Sequence, residues 1–312
     1  MVPKLNVPKR IRDAAERGDR FAQFELAIAF DYGKDGEQDI QRASDWYAKA
    51  ARQGHQAAEG NLLLQHVLGQ AAIRRPRVVF SQLKKRAVSG DREAQNNLGL
   101  CYQFGYGTTP DCKAASIWFR RGAQAAFAAS QFNLGGLYYE GKGVPRNLKR
   151  AIKWYTRAAE QRHELALIQL GSMYQKGEGG QTDLNQAFVL YLVAYSAGSI
   201  RAANHLATMF RKGLGVKRDD QLAYSLFLES VGGPDTPEIA TNLSYRQSAY
   251  YWLGYMAEHG EGTRRDLKVA NRWYKLGAAL DQPGCAEAII RLRNTARQTA
   301  NKRNYPKTPA CK

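Results

Sequence analysis

A chain of 312 residues exceeds the usual single hydrophobic core, so it must divide into domains or repeat a smaller unit. Hydrophobic residues at 44% and aromatics at 11% suffice for a packed interior, which excludes a largely disordered chain. The 46 Lys and Arg against 28 Asp and Glu leave a formal charge of +18, a field that attracts nucleic acid, acidic proteins and anionic membranes but says nothing about fold.

Residues 1–12 are basic and lack an apolar core segment, so they do not read as a signal peptide. Nor does any stretch approach the ~20 apolar residues of a membrane span. The expectation is a soluble protein, cytoplasmic by the missing signal, with a periplasmic or exported location open if the chain is a mature form.

From residue 13 the sequence repeats itself. Paired glycines stand at Gly105 and Gly107, Gly141 and Gly143, Gly177 and Gly179, and Gly213 and Gly215, each pair 36 residues after the last. Gly33 lies 72 residues before Gly105 and Gly260 lies 47 after Gly213, so one unit is hidden and another carries an 11-residue insertion. Ahead of the glycines, a small residue precedes a leucine by four: Ala22 and Leu26, Ala94 and Leu98, Ser130 and Leu134, Ala166 and Leu170, Ala202 and Leu206, Ala249 and Leu253. That spacing predicts one stripe of a first helix, which Cys101 and Tyr102 continue in their unit. The glycines stop this helix and supply a permissive turn. Next comes Asp39, Asp111, Asn147, Asp183, Asp219 or Asp266, the residue type that caps a second helix. The second helix then carries Ala151 and Trp154-Tyr155 or their equivalents, and Gly99 and its counterparts leave room where an aromatic must approach.

The unit between His55 and Gly90 is eroded: only Leu62, Gly69, Ala87 and Gly90 hold the register, and Arg75 and Gln82 occupy the capping and Trp positions. Its Arg74, Arg75, Arg77, Lys84, Lys85 and Arg86 form a candidate basic patch, a solvated face being the plainer reading. The insertion at 232–243 contains Thr236-Pro237-Glu238, a capped helix start, and predicts an elongated first helix in the seventh unit. A capping helix is expected over 282–297, followed by a basic, disordered tail at 299–312. The whole is an all-α stack of about seven antiparallel helix pairs over 13–298, the second degenerate.

The composite pattern, fullest from Ser130 to Gln161 with Leu134-Gly135, Tyr138, Gly141, Gly143, Val144, Asn147, Ala151, Trp154-Tyr155 and Ala158-Ala159, resembles the Sel1-like repeat. The resemblance covers most of the chain. It implies a tetratricopeptide-like, right-handed α-solenoid, and for function an adaptor within protein complexes.

No catalytic constellation stands out. His55, His66, His163, His205 and His259 are scattered one per unit, no serine occupies a nucleophile elbow, and the glycine pairs follow no strand as a phosphate loop would. Cys101, Cys112, Cys285 and Cys311 lack metal-ligand spacing. A bridge between Cys101 and Cys112 is open only in an exported form; two free thiols are the expectation. No enzyme activity, cofactor or metal is expected.

The first helices of such a solenoid build a concave wall. Opposite the Ala94–Leu98–Tyr102 stripe lie Asn96, Leu100 and Gln103, and the same columns elsewhere include Phe132, Tyr139, Gln175, Asn204, Arg211, Tyr251 and Tyr255. Ile28 and Ile168 in these columns are as readily buried between neighbouring helices as exposed. Tyr250, Tyr251, Trp252 and Tyr255 cannot all enter one seam, and aromatics anchor interfaces. The predicted partner-binding residues are therefore Phe132, Tyr139, Gln175, Asn204, Arg211, Tyr251, Trp252 and Tyr255. Only Arg211 is basic among them, which favours a protein partner, acidic by charge complementarity, over RNA. An inhibitor or immunity-type protein that binds one enzyme is a third class.

Overall fold

A computed structural model describes residues 7–33, 38–67, 76–232 and 243–304. Sixteen helices and no strand are found among them. After α1 (Lys9–Glu16) come seven successive pairs: α2 (Arg20–Asp31) with α3 (Ile40–Arg52), α4 (Gln56–Val67) with α5 (Pro76–Val88), α6 (Arg92–Phe104) with α7 (Cys112–Gln124), α8 (Ala128–Glu140) with α9 (Leu148–Glu160), α10 (Glu164–Lys176) with α11 (Leu184–Ser196), α12 (Ile200–Lys212) with α13 (Asp220–Val231), and α14 (Leu243–His259) with α15 (Leu267–Ala278). The last helix, α16 (Cys285–Asn304), starts within the capping helix expected over 282–297 but runs on through residues 299–304, which corrects the disordered tail expected from 299. At 17 residues α14 is longer than α6, α8, α10 and α12, each of 13. The capped start expected at Thr236-Pro237-Glu238, with Gly69, Arg74, Arg75, the last eight residues of the tail and Cys311, lies outside the described residues.

The hairpin follows from a few local contacts. Each of Asp39, Asp111, Asn147, Asp183, Asp219 and Asp266 accepts a bond on its side chain from a first-turn amide of the second helix. The backbone amide of the same residue closes the turn onto the first helix, as from Asn147 to the Tyr138 carbonyl at 2.8 Å and from Asp183 to Tyr174 at 2.9 Å. One residue thus fixes both ends of the turn. Gly141 ends α8 in the left-handed region at φ 76°, where a side chain is strained. Inside the helices, a Cβ on Gly99 would stand 2.5 Å from the Phe119 ring and one on Gly135 2.8 Å from Tyr155, so these glycines let the two helices of a pair approach. Cys101, Cys112 and Cys285 are free thiols, Cys101 fully buried.

The chain divides into two compact units, 1–166 and 167–312. In the first, Tyr47 and Leu62 centre one buried cluster, and Leu83, Leu98 and Tyr106 another. Buried amides tie its hairpins together. Gln23, Gln95 and Gln131, at one repeat position, donate to the carbonyls of Ala15, Ala87 and Ala123. The eroded unit breaks this column with Glu59, which cannot donate as a carboxylate and is fully buried. Arg86 answers it with two 2.7 Å bonds, from a position where the other first-unit repeats carry Ala50, Gly122 and Ala158. The same guanidinium binds Asp91. Burial, with two carboxylates sharing one cation, pushes the Glu59 carboxyl up to about 7.

The second unit packs around Tyr191, Leu206, Phe227, Leu253 and Trp273, with a smaller cluster at Tyr274 and Cys285. Among the described residues no helix is long and apolar enough to cross a membrane.

Candidate protein-binding surface

The predicted residues fall in four repeat columns, and for two of them, those of Phe132 and of Gln175, the structure shows a recurring packing role. In the first, Phe132 is half-buried and stacks on His163 with ring centroids 5.0 Å apart, as Phe24 stacks on His55 at 4.3 Å. Nδ1 of each histidine also accepts from the amide three residues on, capping the next first helix. These histidines are packing groups, held below their ordinary pKa by burial. Asn204, in the same column, is only 7% exposed and accepts a bond from Ser248 at 3.4 Å. Its counterpart Asn96 accepts from Ser130 and Asn133. Asn204 is therefore an interhelical contact and not part of an open face, a correction to the sequence reading.

The column of Gln175 supplies acceptors to tyrosines of the second helices. Tyr47 donates to Asp31, Tyr191 to Gln175 and Tyr274 to Glu258, each across 16 residues and at 2.8–3.1 Å. Gln175 is thus engaged within its own hairpin. Tyr139, half-buried on α8, accepts on its carbonyl from Arg146 Nε at 3.0 Å. At Arg211 the facing residue is Phe227, which has no hydroxyl to accept from it. Its guanidinium lies over the Trp252 ring instead, 3.5 Å from the centroid, and no carboxylate among the described residues stands within 4 Å of it.

Around that pair the second unit assembles most of its predicted aromatics. Trp252 meets Tyr251 edge-on at 5.0 Å and Tyr255 edge-on at 5.7 Å, and Tyr255 stacks on His259 at 4.1 Å. All but the exposed His259 are half-buried. Tyr251 also leans on Tyr274 and is the most structural of the group. Arg211, Trp252, Tyr255 and His259 therefore form one continuous face on α12 and α14, while Phe132 and Tyr139 belong to α8 of the first unit. His259 is absent from the predicted set, although its spacing of four from Tyr255 places it on the same helical face.

His205, one residue from the buried Asn204, lies flat on the Tyr191 ring at 4.6 Å. Burial, aided by the Lys176 charge, lowers its pKa from an ordinary 6.5 to about 4. The folded state keeps the ring neutral while the unfolded chain protonates near 6.5, so this contribution to stability is present above 6.5 and is lost as pH falls toward 4. Thermal melts of the wild type should lose stability across that window more steeply than those of His205→Gln. Parallel curves would assign the acid sensitivity to other groups.

A model of the Sel1 repeat matches residues 20–55, 92–127, 128–163, 165–199, 200–230 and 247–282, more than half of the chain. Among solved structures, a protective antigen present in uropathogenic Escherichia coli strains, displaying an SLR fold, is 30% identical with a TM-score of 0.62; the match covers 92% of this chain and 59% of the antigen. This chain thus spans well under two thirds of that protein's length. A Sel1 repeat protein from Oxalobacter formigenes is 25% identical, with 90% and 78% covered and a TM-score of 0.62. An immunity protein from Pseudomonas aeruginosa, 22% identical over 70% of this chain and 84% of its own with a TM-score of 0.50, shares the fold alone. The curated proteins contain no match.

Proposed function

Because the chain belongs to the Sel1 repeat family, we propose that it is a non-enzymatic scaffold whose second unit grips a partner protein on the α12–α14 face. The observation that carries this reading is Arg211: a half-buried guanidinium stacked on Trp252, free of any carboxylate within 4 Å among the described residues, and flanked by Tyr255. Burial lowers its pKa, so the charge is held at a cost that an incoming carboxylate would offset. Stacked Arg and aromatic side chains are the residue types that dominate interface energetics, and the formal charge of +18 favours an acidic partner. Binding of a single enzyme by an inhibitor or immunity-type protein is a narrower form of this reading, and no residue of the face singles it out.

The test is a paired capture at physiological salt with wild type and with Arg211→Ala/Tyr255→Ala, retained proteins being identified by mass spectrometry. Truncating such anchors costs ~2 kcal/mol or more, about 30-fold in affinity, so proteins held by the wild type should be lost while the melting temperature changes little. Retention by the double variant, or equal loss from Phe132→Ala/Tyr139→Ala, would move the site elsewhere.

A further inference from the structure

The first unit sorts its charge between its two layers of helices. The second helices α3, α5, α7 and α9 carry fourteen Lys and Arg against two acids, Asp45 and Glu160. The first helices α2, α4, α6 and α8 carry two, Arg20 and Arg92, against five acids. Four of the cations, Lys49, Lys85, Arg121 and Arg157, stand 36 residues apart at one position of consecutive units, and all four are exposed. In the second unit that position holds Val193, Glu229 and Leu276, so the column ends where the first unit ends.

Three of these cations are held in place. Lys49 Nζ lies 3.4 Å from the centroid of the Trp46 ring, Arg121 lies 4.5 Å from Trp118, and Arg157 lies 4.7 Å from Trp154, each over an aromatic three residues earlier. Stacking orients the charge and lowers the side-chain entropy lost on binding. None of the four has a carboxylate within 4 Å among the described residues. Among the described residues these charges are therefore not held in ion pairs.

The exposed large apolar side chains of this layer, Val78, Val88 and Ile117, are far outnumbered by its fourteen cations, so charge and not apolar burial dominates it. Its tryptophans Trp46, Trp118 and Trp154 each lie under one of these cations, so the charge is the outermost repeated feature of the column. What remains is one charge per repeat at a constant step, and a ligand matched to that is a chain with one negative charge per unit. The step is set by the stacking of whole hairpins, and a flexible single strand can meet it by adjusting its backbone where a rigid duplex cannot. We infer that the second-helix layer of the first unit binds the phosphodiester backbone of single-stranded nucleic acid through Lys49, Lys85, Arg121 and Arg157, without reading its bases. This surface is separate from the α12–α14 face and does not depend on it.

The probe is a fluorescein-labelled 24-nucleotide oligouridylate, titrated by anisotropy with the full chain at several salt concentrations. Three proteins are compared: wild type, the quadruple Lys49→Gln/Lys85→Gln/Arg121→Gln/Arg157→Gln, and a charge-matched control in the second unit, Lys217→Gln/Arg264→Gln/Lys268→Gln/Lys275→Gln. At about −0.7 per single-strand contact, the quadruple variant should lose about three from the slope of log affinity against log salt and at least about 30-fold in affinity at 0.1 M salt. The control should stay within about threefold, and oligodeoxythymidylate should bind like the RNA. Equal losses from the two variants, or no change in slope, would show a delocalised field and overturn the assignment. Stronger competition by poly-glutamate than by unlabelled oligouridylate would overturn it in favour of an acidic polypeptide.

Discussion

Gly143→Ala is expected to destabilise the first unit by about 3 kcal/mol or more, far beyond the cost of its backbone angle alone. Gly143 has φ 68°, and a Cβ there would be driven into the carbonyl of Cys112, the first residue of α7 in the preceding hairpin. Backbone at a capped helix start cannot withdraw, because Asp111 pins it by accepting from the Lys113 and Ala114 amides. The turn glycine is thus also the surface on which one hairpin rests on the previous one. Gly54 makes the control: φ is 76° but nothing lies within 4 Å of its would-be Cβ, so Gly54→Ala should cost only the ~1 kcal/mol of left-handed strain. Urea melts of the two variants separate the effects. Equal losses would mean that the hairpins slide apart at negligible cost and that the close approach does not hold them.

Arg86→Met should cost about 3 kcal/mol at pH 8, because it leaves Glu59 fully buried without its cation. The loss should shrink as pH falls. With its pKa already raised to about 7 by burial, the folded state binds a proton on Glu59 that the unfolded chain, near 4.5, does not. Stability from this group is therefore full below about 4.5 and is lost as pH rises through about 7. Removing Arg86 raises the carboxyl further, so at pH 5 the variant holds a neutral acid in the cavity and the penalty is mostly one of packing. The double change Glu59→Gln/Arg86→Ala recreates the amide and small-residue pairing of Gln23 with Ala50 and should recover much of the loss. A pH-independent penalty for Arg86→Met would place the cost in lost side-chain packing and not in charge.

Much of the fold is legible in the sequence because the repeat is held by contacts that are close along the chain. The six capping residues, the left-handed backbone of the turn glycines and the small residues opposite Phe119 and Tyr155 act within one hairpin, and all are found in their expected roles. The eroded unit hid its logic until the structure placed Glu59 against Arg86, since neither residue matches the pattern and they are 27 positions apart. The candidate surface was the least legible part. Phe132 and Asn204 share a column, yet one is a half-buried ring on His163 and the other is sealed by Ser248 from the next first helix. The predicted wall residues include a single cation, Arg211, while the repeating cations stand in the other layer. Sequence by itself determined the period, the helices and the turns, because capping bonds and backbone angles are set by residues a turn or two apart. Only the tertiary structure decided which side chains stay open, because exposure depends on the neighbouring helix, and at Gly143, Asn204 and Glu59 that neighbour lies in an adjoining hairpin or helix.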